Sequence, residues 1–350
     1  METFNVALSA DFRKPDGTPA FPMFDLSPLD DDPRVNWSFV PITDGWIAAD
    51  DIRGFDALIL LASRFDRQSI PDDGRLAVVA RFGVGYDAVD VDACTDNDIA
   101  LVITPSGVRR PVAVAIMTFV LALAGKMMAK DRITREGPDG WARRGQYMGQ
   151  GLVGLTLGSI GVGNIGAELF ALAAPFGLLG IAHDPYVDGT TANALGIEMV
   201  SLEDVFRRAD FVCVNCPLTD ETEGLVNAER LALMKPTAYL INTARGPIVD
   251  QDALTAALTD RVIAGAGIDV FETEPPAADD PLLALDNVIL APHALCWTDQ
   301  CFADIGAADI RAVFDVMAGR VPDGVVNRDV LDRPGWQARL DRYRSLAGDS

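Results

Sequence analysis

The chain has 350 residues, a formal net charge of −22 and a hydrophobic content of 49%. This length favours two domains over one, and the composition allows sizeable hydrophobic cores. The negative charge argues against nucleic acid and anionic membrane surfaces as partners, because their phosphates would be repelled. A small anionic ligand would need a local cluster of arginines.

The apolar segments and the cysteines point to a reducing cytoplasm. The N-terminal residues have only a short apolar core and are predicted to form a first strand instead of a signal peptide. The longest apolar run, Val112–Ala124, is shorter than the ~20 residues that cross a bilayer. Cys213 and Cys216 form a single C-x-x-C inside a strand-like run, where alternation sends them to opposite faces. We therefore expect no metal site.

Residues 1–103 alternate between strand-like and helix-like segments, as in a small α/β unit. The predicted elements are strands at Asn5–Ala10, Ala57–Ala62, Leu76–Arg81 and Ile99–Thr104, with a short helix at Val91–Thr95. The segment Asp11–Asp32 is rich in Pro and Asp and is predicted to be a loop. A long apolar helix, Val112–Lys126, is expected to connect this unit to the next.

The stretch Leu155–Asp184 contains a strand, a G-x-G-x-x-G turn, a helix and a second strand that ends on an acid. Gly161 allows a tight turn, Gly163 lets the backbone approach a pyrophosphate, and Gly166 lets the helix pack on the strand. The helix N-terminus favours anions. Asp184 stands about 20 residues beyond the turn, where a carboxylate binds the ribose hydroxyls of NAD. The order of these parts predicts a Rossmann site for NAD.

Strands continue to alternate with helices after this stretch, so we predict a doubly wound parallel sheet covered on both faces. The further strands are placed at Asp210–Cys216, Tyr239–Thr243, Ala264–Val270 and Val288–Ala291, and the helices at Ser201–Arg208, Asn227–Met234 and Asp250–Thr259. A helix at Phe302–Met317 is expected to return the chain to the first unit. The tail, Asp332–Ser350, is arginine-rich and has no predicted role.

Four polar residues fall at or just after strand ends, where open α/β sheets bind ligands: Arg245, Asp269, Glu274 and His293. Histidine is the natural proton donor near neutral pH, and Glu274 is the candidate partner that would orient His293. Arg245 suits a carboxylate, which it can bind through two parallel N–H bonds. Taken singly, Arg245 reads as a surface ion pair and Glu274 as part of a solvated loop. The other histidine, His183, precedes Asp184 and is expected at the rim.

The chain resembles the D-isomer-specific 2-hydroxyacid dehydrogenase family over nearly its full length. The resemblance rests on segments that begin at Arg81 (RFGVGYD), Gly161 (GVGNIG), Cys216 (CPLT), Ile241 (INTARG), Asp269 (DVFETEP) and Ala291 (APH). It implies that His293, Glu274 and Arg245 are the catalytic residues. It also implies two Rossmann-like domains, with the NAD-binding sheet, residues 104–296, inserted into a smaller flavodoxin-like substrate domain of residues 1–103 and 297–350.

The resemblance further implies contacts with cofactor and substrate. The predicted cofactor contacts are Gly161, Gly163, Asn164, Ile165, Gly166, Asp184, Pro217, Thr222, Thr243, Ala244 and Asp269. The backbone amides of Val84 and Gly85 would bind the substrate carboxylate. Two further contacts are expected from the sequence itself: Arg64, just past the strand that ends at Ala62, would read a distal polar group, and Trp297, where the sequence departs from the family, would limit the length of the substrate or stack on its tail. Arg64 could equally be a surface residue. A cleft between the domains, hinge closure and a homodimer formed through the NAD domains are also implied.

The sequence departs from the family after His293, where Ala294–Thr298 replaces the usual glycine-rich stretch. The expected reaction is hydride transfer between nicotinamide and C2 of a small D-2-hydroxy or 2-oxo acid, with glyoxylate and hydroxypyruvate as first candidates. An alternative is an NAD-sensing binding protein, since the family resembles corepressors that keep the same fold and residues. Turnover at substrate levels found in cells would separate the two.

Overall fold

The computed structural model describes residues 3–348 and divides the chain into two compact units. The first unit comprises Met1–Val108 and Thr298–Ser350, and the second comprises Arg109–Trp297. Trp297, which we had assigned to the first unit, therefore belongs to the second. The chain first passes from one unit to the other between Val108 and Arg109, inside a helix, whereas the sequence placed this boundary between residues 103 and 104.

Twelve strands form two sheets within the described residues. They are β1 (Phe4–Ser9), β2 (Val35–Val40), β3 (Ala57–Leu60), β4 (Val78–Arg81), β5 (Ala100–Ile103), β6 (Thr156–Ile160), β7 (Leu179–His183), β8 (Ile197–Met199), β9 (Phe211–Val214), β10 (Tyr239–Asn242), β11 (Gly265–Ile268) and β12 (Val288–Leu290).

Helices lie between most of these strands. They are α1 (Ser27–Asp31), α2 (Val91–Asp96), α3 (Pro105–Gly125), α4 (Met127–Arg135), α5 (Pro138–Ala142), α6 (Asn164–Ala173), α7 (Gly189–Leu195), α8 (Leu202–Arg208), α9 (Ala228–Leu231), α10 (Gln251–Thr259), α11 (Asp299–Met317) and α12 (Pro334–Gly348).

The first unit contains a five-stranded sheet in the order β2-β1-β3-β4-β5, with every pair parallel. Its central strand β3 is completely buried, as expected for a parallel strand covered on both faces. Strand β2 was not predicted, because its residues alternate between half-buried and exposed, as at a sheet edge, and it lacks a continuous apolar run. The segment predicted as the loop Asp11–Asp32 also contains the short helix α1.

The tail, which had no predicted role, forms α12 and packs on the first unit. Trp336 is completely buried and donates from Nε1 to the Ala77 carbonyl at 3.2 Å. The Tyr343 hydroxyl donates to the buried carboxylate of Asp56 at 2.9 Å, and Arg75 also donates to that carboxylate. The helix therefore completes the core of this unit.

Helix α3 starts earlier than predicted, at Pro105 instead of Val112, because Pro111 is accommodated inside it. In the described part of the chain it is the single helix long and apolar enough to cross a membrane by length and composition. Its most apolar window is 61% buried, with Ile116, Phe119 and Val120 in a core of the second unit. It is thus the core helix of a globular unit by burial.

The second unit contains a seven-stranded parallel sheet in the order β12-β11-β10-β9-β6-β7-β8. The predicted α/β class with two parallel sheets is confirmed. Strand β6 pairs with β9 on one side and β7 on the other, so the strand order reverses at β6. Ligands bind at the carboxyl ends of strands beside such a reversal. The functional residues of this unit follow those strand ends.

Candidate active site

The glycine-rich turn connects β6 to α6 and has the geometry that its sequence predicts. Gly161 has a φ of +96°, and a Cβ there would lie 2.8 Å from the Asn215 carbonyl oxygen. Gly163 is the N-cap of α6, and a Cβ on Gly166 would lie 2.7 Å from the Gly161 carbonyl oxygen. Side chains are thus excluded at Gly161 and Gly166 by the backbone packed against them.

Asp184 follows β7 and faces this turn. Its Oδ2 accepts a hydrogen bond from the Val162 N–H at 2.8 Å, and its Oδ1 accepts one from the Tyr186 N–H at 2.9 Å. Two backbone donors therefore fix the carboxylate beside the dinucleotide turn. Each oxygen retains a lone pair that could accept a ribose hydroxyl.

The residues present fit a dinucleotide. A Cβ on Gly163 would meet no atom within 4 Å, so open space lies at the N-terminus of α6. The first N–H groups of Asn164 and Ile165 point from a helix end that has no intrahelical acceptors for them. The buried Thr243 Oγ1 has no hydrogen-bond partner within residues 3–348. A buried hydroxyl of this kind is usually satisfied by a ligand or by water.

The loop after β9 contains two further predicted cofactor residues, Pro217 and Thr222, and the Thr222 hydroxyl forms hydrogen bonds within the loop. The Thr222 Oγ1 donates to the Pro217 carbonyl at 2.6 Å and accepts from the Thr219 N–H at 2.8 Å. Sequence reasoning missed a partly buried pair at the turn: the Asn215 amide donates to Ser159 Oγ at 2.8 Å, and that hydroxyl donates to the Gly161 carbonyl at 2.6 Å. This chain of bonds ties the loop to the glycine turn.

Arg245 lies in the turn that follows β10. Asn242 holds the turn, accepting from the Ala244 N–H at 3.0 Å and donating to the Arg245 carbonyl at 2.9 Å. A Cβ on Gly246 would overlap the backbone of Phe271, so this turn packs directly against the segment that carries Glu274. The positive charge of Arg245 contributes to holding down the pKa of Glu274.

Asp269, at the end of β11, organises the backbone around His293. Its carboxylate accepts from the Ala294 N–H at 2.9 Å and from the Leu295 N–H at 3.2 Å, and its carbonyl accepts from the His293 N–H at 2.7 Å. Burial raises the pKa of Asp269, and these backbone donors partly offset the rise. His293 has a φ of +54°, a left-handed conformation that is uncommon for residues other than glycine.

His293 and Glu274 form a hydrogen-bonded pair, with 2.7 Å between Nδ1 and Oε2. The other oxygen of Glu274 accepts from the Phe271 N–H at 2.9 Å. Burial raises the pKa of Glu274, but the bonds from His293 and Phe271 outweigh this effect and the pKa lies below its ordinary value. An ionised Glu274 therefore holds Nδ1 protonated and leaves Nε2 as the second ring nitrogen.

His183 and Trp297 lie outside this pair. His183 ends β7 and its Nδ1 lies 3.1 Å from the Val200 carbonyl, so the ring is used locally, away from Glu274. Trp297 is exposed and its N–H donates to the Ala294 carbonyl at 3.0 Å. The structure thus groups Arg245, Asp269, Glu274 and His293 at neighbouring strand ends and leaves His183 at the edge.

The remaining predicted substrate residues belong to the first unit. Gly83 has a φ of +119°, and its N–H and carbonyl both bond to Thr104 Oγ1, at 3.0 and 3.1 Å. Within residues 3–348 the N–H groups of Val84 and Gly85 donate to no protein acceptor. The loop after β4 therefore presents two N–H groups that could donate hydrogen bonds to a carboxylate.

Arg64 stacks on a tryptophan that sequence reasoning did not single out. Its guanidinium carbon lies 5.4 Å from the ring centroid of Trp46. The backbone N–H of Arg64 donates to the Gly45 carbonyl at 2.9 Å. The preceding backbone is held by Asp11, which accepts from the Ala62 N–H at 3.0 Å. The cation is exposed and positioned by an aromatic face.

Comparison with known proteins identifies the family. The sequence profile described as "D-isomer specific 2-hydroxyacid dehydrogenase, NAD binding domain" matches residues 117–294. The chain is 37% identical over 290 residues to a glyoxylate reductase of Korarchaeum cryptofilum, covering 82% of this chain and 87% of that protein. It is 37% identical over 331 residues to a D-3-phosphoglycerate dehydrogenase of Mycobacterium tuberculosis, covering 92% of this chain and 61% of that protein.

Among solved structures, the TT0316 protein from Thermus thermophilus superposes with a TM-score of 0.78 at 28% identity, covering 92% of this chain and all of that one. The chain belongs to the D-isomer specific 2-hydroxyacid dehydrogenase family. It is accordingly an NAD-dependent oxidoreductase, and the dinucleotide turn, Asp184 and Thr243 are the residues that fit the cofactor.

Proposed function

We propose that this protein reduces a small 2-oxo acid to the D-2-hydroxy acid, and catalyses the reverse oxidation, with His293 as the proton donor and acceptor. The observation that carries the proposal is the 2.7 Å bond between His293 and an ionised Glu274 at the strand ends beside Arg245. A protonated imidazole held by a carboxylate is suited to general acid catalysis.

The proton transfer is assigned to Nε2 of His293. Glu274 binds Nδ1 and is itself fixed by the Phe271 N–H, so the ring is held in one orientation. In the reduction, Nε2 gives its proton to the carbonyl oxygen of the substrate as that oxygen gains negative charge. In the oxidation, the neutral ring takes the hydroxyl proton, and the ionised Glu274 stabilises the imidazolium that results.

Arg245 is assigned to the substrate carboxylate and to the polarisation of the adjacent carbonyl. A guanidinium can bind a carboxylate with two parallel bonds, which fixes orientation as well as position. The N–H groups of Val84 and Gly85 in the first unit are also assigned to the carboxylate. Bound NADH supplies the hydride, a chemistry that side chains do not provide.

Glyoxylate and hydroxypyruvate are proposed as the first substrates. The relative from Korarchaeum cryptofilum is named a glyoxylate reductase, which supports a small 2-oxo acid. The stacked, exposed guanidinium of Arg64 supports recognition of a hydroxyl, carboxylate or phosphate at the far end of a longer substrate. Trp297 is proposed to limit substrate length.

Initial rates of NADH oxidation with a panel of 2-oxo acids, followed by chiral analysis of the product, test the proposal. We expect turnover of glyoxylate or hydroxypyruvate, and a D product wherever C2 becomes chiral. NADH binding without turnover of any 2-oxo acid would contradict the enzymatic assignment and favour an NAD-sensing binding protein.

We also propose that the protein forms a homodimer through the NAD-binding unit. Large apolar side chains are exposed along α3, α4, α5 and the segment that follows: Val114, Leu121, Met127, Met128, Trp141 and Met148. Covering such a surface by a second copy would remove it from water. Sedimentation of the intact protein should give a dimer, and a monomer would contradict this proposal.

The five free cysteines support a reducing compartment, which is proposed to be the cytoplasm.

A further inference from the structure

The first unit buries an acid that the reaction outlined above does not use. Asp309, on α11, is completely excluded from solvent, and neither carboxylate oxygen has a hydrogen-bond partner within residues 3–348. An ionised carboxylate without donors is very costly to bury, whereas a neutral carboxylic acid costs far less. This acid therefore requires a physical reason for its position.

Asp309 lies on the face of α11 that supports the loop after β4. The same face carries Phe302, whose ring is 5.8 Å from the ring of Phe82, and Gly306, where a Cβ would collide with Phe24. The rings of Phe24 and Phe82 are in turn 5.1 Å apart. Helix α11 is thus packed closely against the start of the loop that contains Val84 and Gly85.

Arg81 is the charged group that acts on Asp309. It ends β4, the strand on which α11 packs, and its guanidinium donates to the Phe82 carbonyl and lies against Gly83. Its positive charge thus lies directly under the backbone of the loop. Burial raises the pKa of Asp309 well above its ordinary value, and Arg81 opposes that rise.

The other elements around Asp309 add no further charge to it. Strand β5 has only apolar side chains, and the neighbouring charged residues on the same helix, Asp304 and Arg311, are exposed. Helix α12 reaches α11 near its C-terminal end, where Arg344 donates to the Gly319 carbonyl at 2.7 Å. Among the described residues, Arg81 is the one charge that contributes to the titration of Asp309.

We propose that Asp309 is a positioning residue that, as a neutral buried acid, supports the Phe82–Gly85 loop without cancelling the charge of Arg81, so that this charge acts on the substrate carboxylate. An ionised Asp309 would offset the guanidinium and weaken anion binding at the same loop. The inference rests on the proposed function, since it takes the Val84 and Gly85 N–H groups as donors to that carboxylate.

Two measurements on the intact protein test this role. The first is the infrared difference spectrum between the parent and Asp309→Asn at neutral pH. We expect the parent to show the C=O band of a protonated carboxylic acid that the variant lacks. A parent spectrum with an ionised carboxylate in its place would overturn the proposal.

The second is the affinity of the enzyme–NADH complex for oxamate, a carboxylate analogue of a 2-oxo acid, as a function of pH. At neutral pH, Asp309→Asn should bind oxamate within about twofold of the parent, as a neutral isostere should. At alkaline pH the parent should lose more affinity than Asp309→Asn, because only the parent can ionise there. His293 is present in both proteins, so the difference between the two profiles reports Asp309.

Arg81→Gln should weaken oxamate binding roughly tenfold, the low end for losing a charged contact, and should abolish the difference between the profiles. Arg81→Lys, which keeps the charge, should restore part of the affinity. The control Asp315→Asn changes an acid on the same helix that pairs with Arg320 at the surface, and it should follow the parent profile.

Two failures are distinguishable. If the parent binds oxamate and the Asp309→Asn profile coincides with it at every pH, the role of Asp309 is wrong and the proposed function stands. If the parent complex binds no oxamate and reduces no 2-oxo acid, the proposed function is contradicted and this inference falls with it.

Discussion

Replacement of Glu274 by Gln removes the charge that holds His293 while keeping the shape of the side chain. In the structure the carboxylate contacts Nδ1 of His293 at 2.7 Å and the Phe271 N–H at 2.9 Å. A glutamine can still accept from Phe271, but its NH₂ group would then face Nδ1. That arrangement favours the neutral ring, which is a weaker acid.

The size of the effect follows from the exposure of the pair. The side chains of His293 and Glu274 are 44% and 36% exposed, so solvent screens part of their interaction. We take about 1.5 kcal/mol, the lower end of the value for a hydrogen bond to a charged group. That free energy corresponds to roughly a tenfold loss in kcat/KM for reduction. The loss should appear in the reduction, in which His293 donates the proton.

Steady-state reduction of glyoxylate or hydroxypyruvate across pH measures this loss, and NADH fluorescence reports whether the cofactor still binds. The matched control is Glu272→Gln, an exposed acid in the same segment whose backbone N–H, and not its carboxylate, bonds to Gln251. Activity of Glu274→Gln at the parent level would refute the reasoning. An equal loss in Glu272→Gln would mean that the effect comes from removing a negative charge from this segment and not from the contact between Glu274 and His293.

Three further predictions concern the cofactor, the substrate and stability. NADH should give a higher kcat/KM than NADPH, and Asp184→Ala should narrow the difference, because Asp184 repels a 2′-phosphate; equal values in the parent would contradict this. Arg64→Ala should raise KM more for hydroxypyruvate than for glyoxylate if Arg64 reads the substrate tail, and an equal loss would remove that role. Asp309 has a raised pKa when folded and an ordinary one of 3.8 when unfolded, so its contribution to stability falls as pH rises between the two. The free energy of unfolding of Asp309→Asn, followed by its thermal midpoint, should therefore rise relative to that of the parent as the pH increases, by up to about 1.4 kcal/mol per pH unit. A difference in midpoint that stays constant with pH would contradict the burial argument.

The sequence predicted features that depend on local spacing. The turn from Gly161 to Gly166 and the acid at Asp184 are fixed by the short connections of a βαβ unit. Glu274 and His293 could be paired because each follows a strand of one parallel sheet, and the ends of such strands lie along one edge. In each case the neighbours in sequence determine the neighbours in space.

The features that sequence missed depend on distant packing. Strand β2 lies at a sheet edge, so its residues alternate in burial and give a weak pattern. Asp309 reads as an ordinary polar residue on a helix, and its complete burial depends on the packing of the whole first unit. The bond between Asn215 and Ser159 joins the loop after β9 to β6, and no local pattern specifies that these two segments are neighbours.

The most direct test of the central claim is the turnover number of His293→Ala with NADH and a 2-oxo acid. If His293 donates the proton, kcat should fall by at least ~10²-fold while NADH still binds, and His183→Ala should have a milder effect. Near-normal turnover of His293→Ala would contradict the account, because His183 is the one other histidine in the chain and its ring is bonded to Val200.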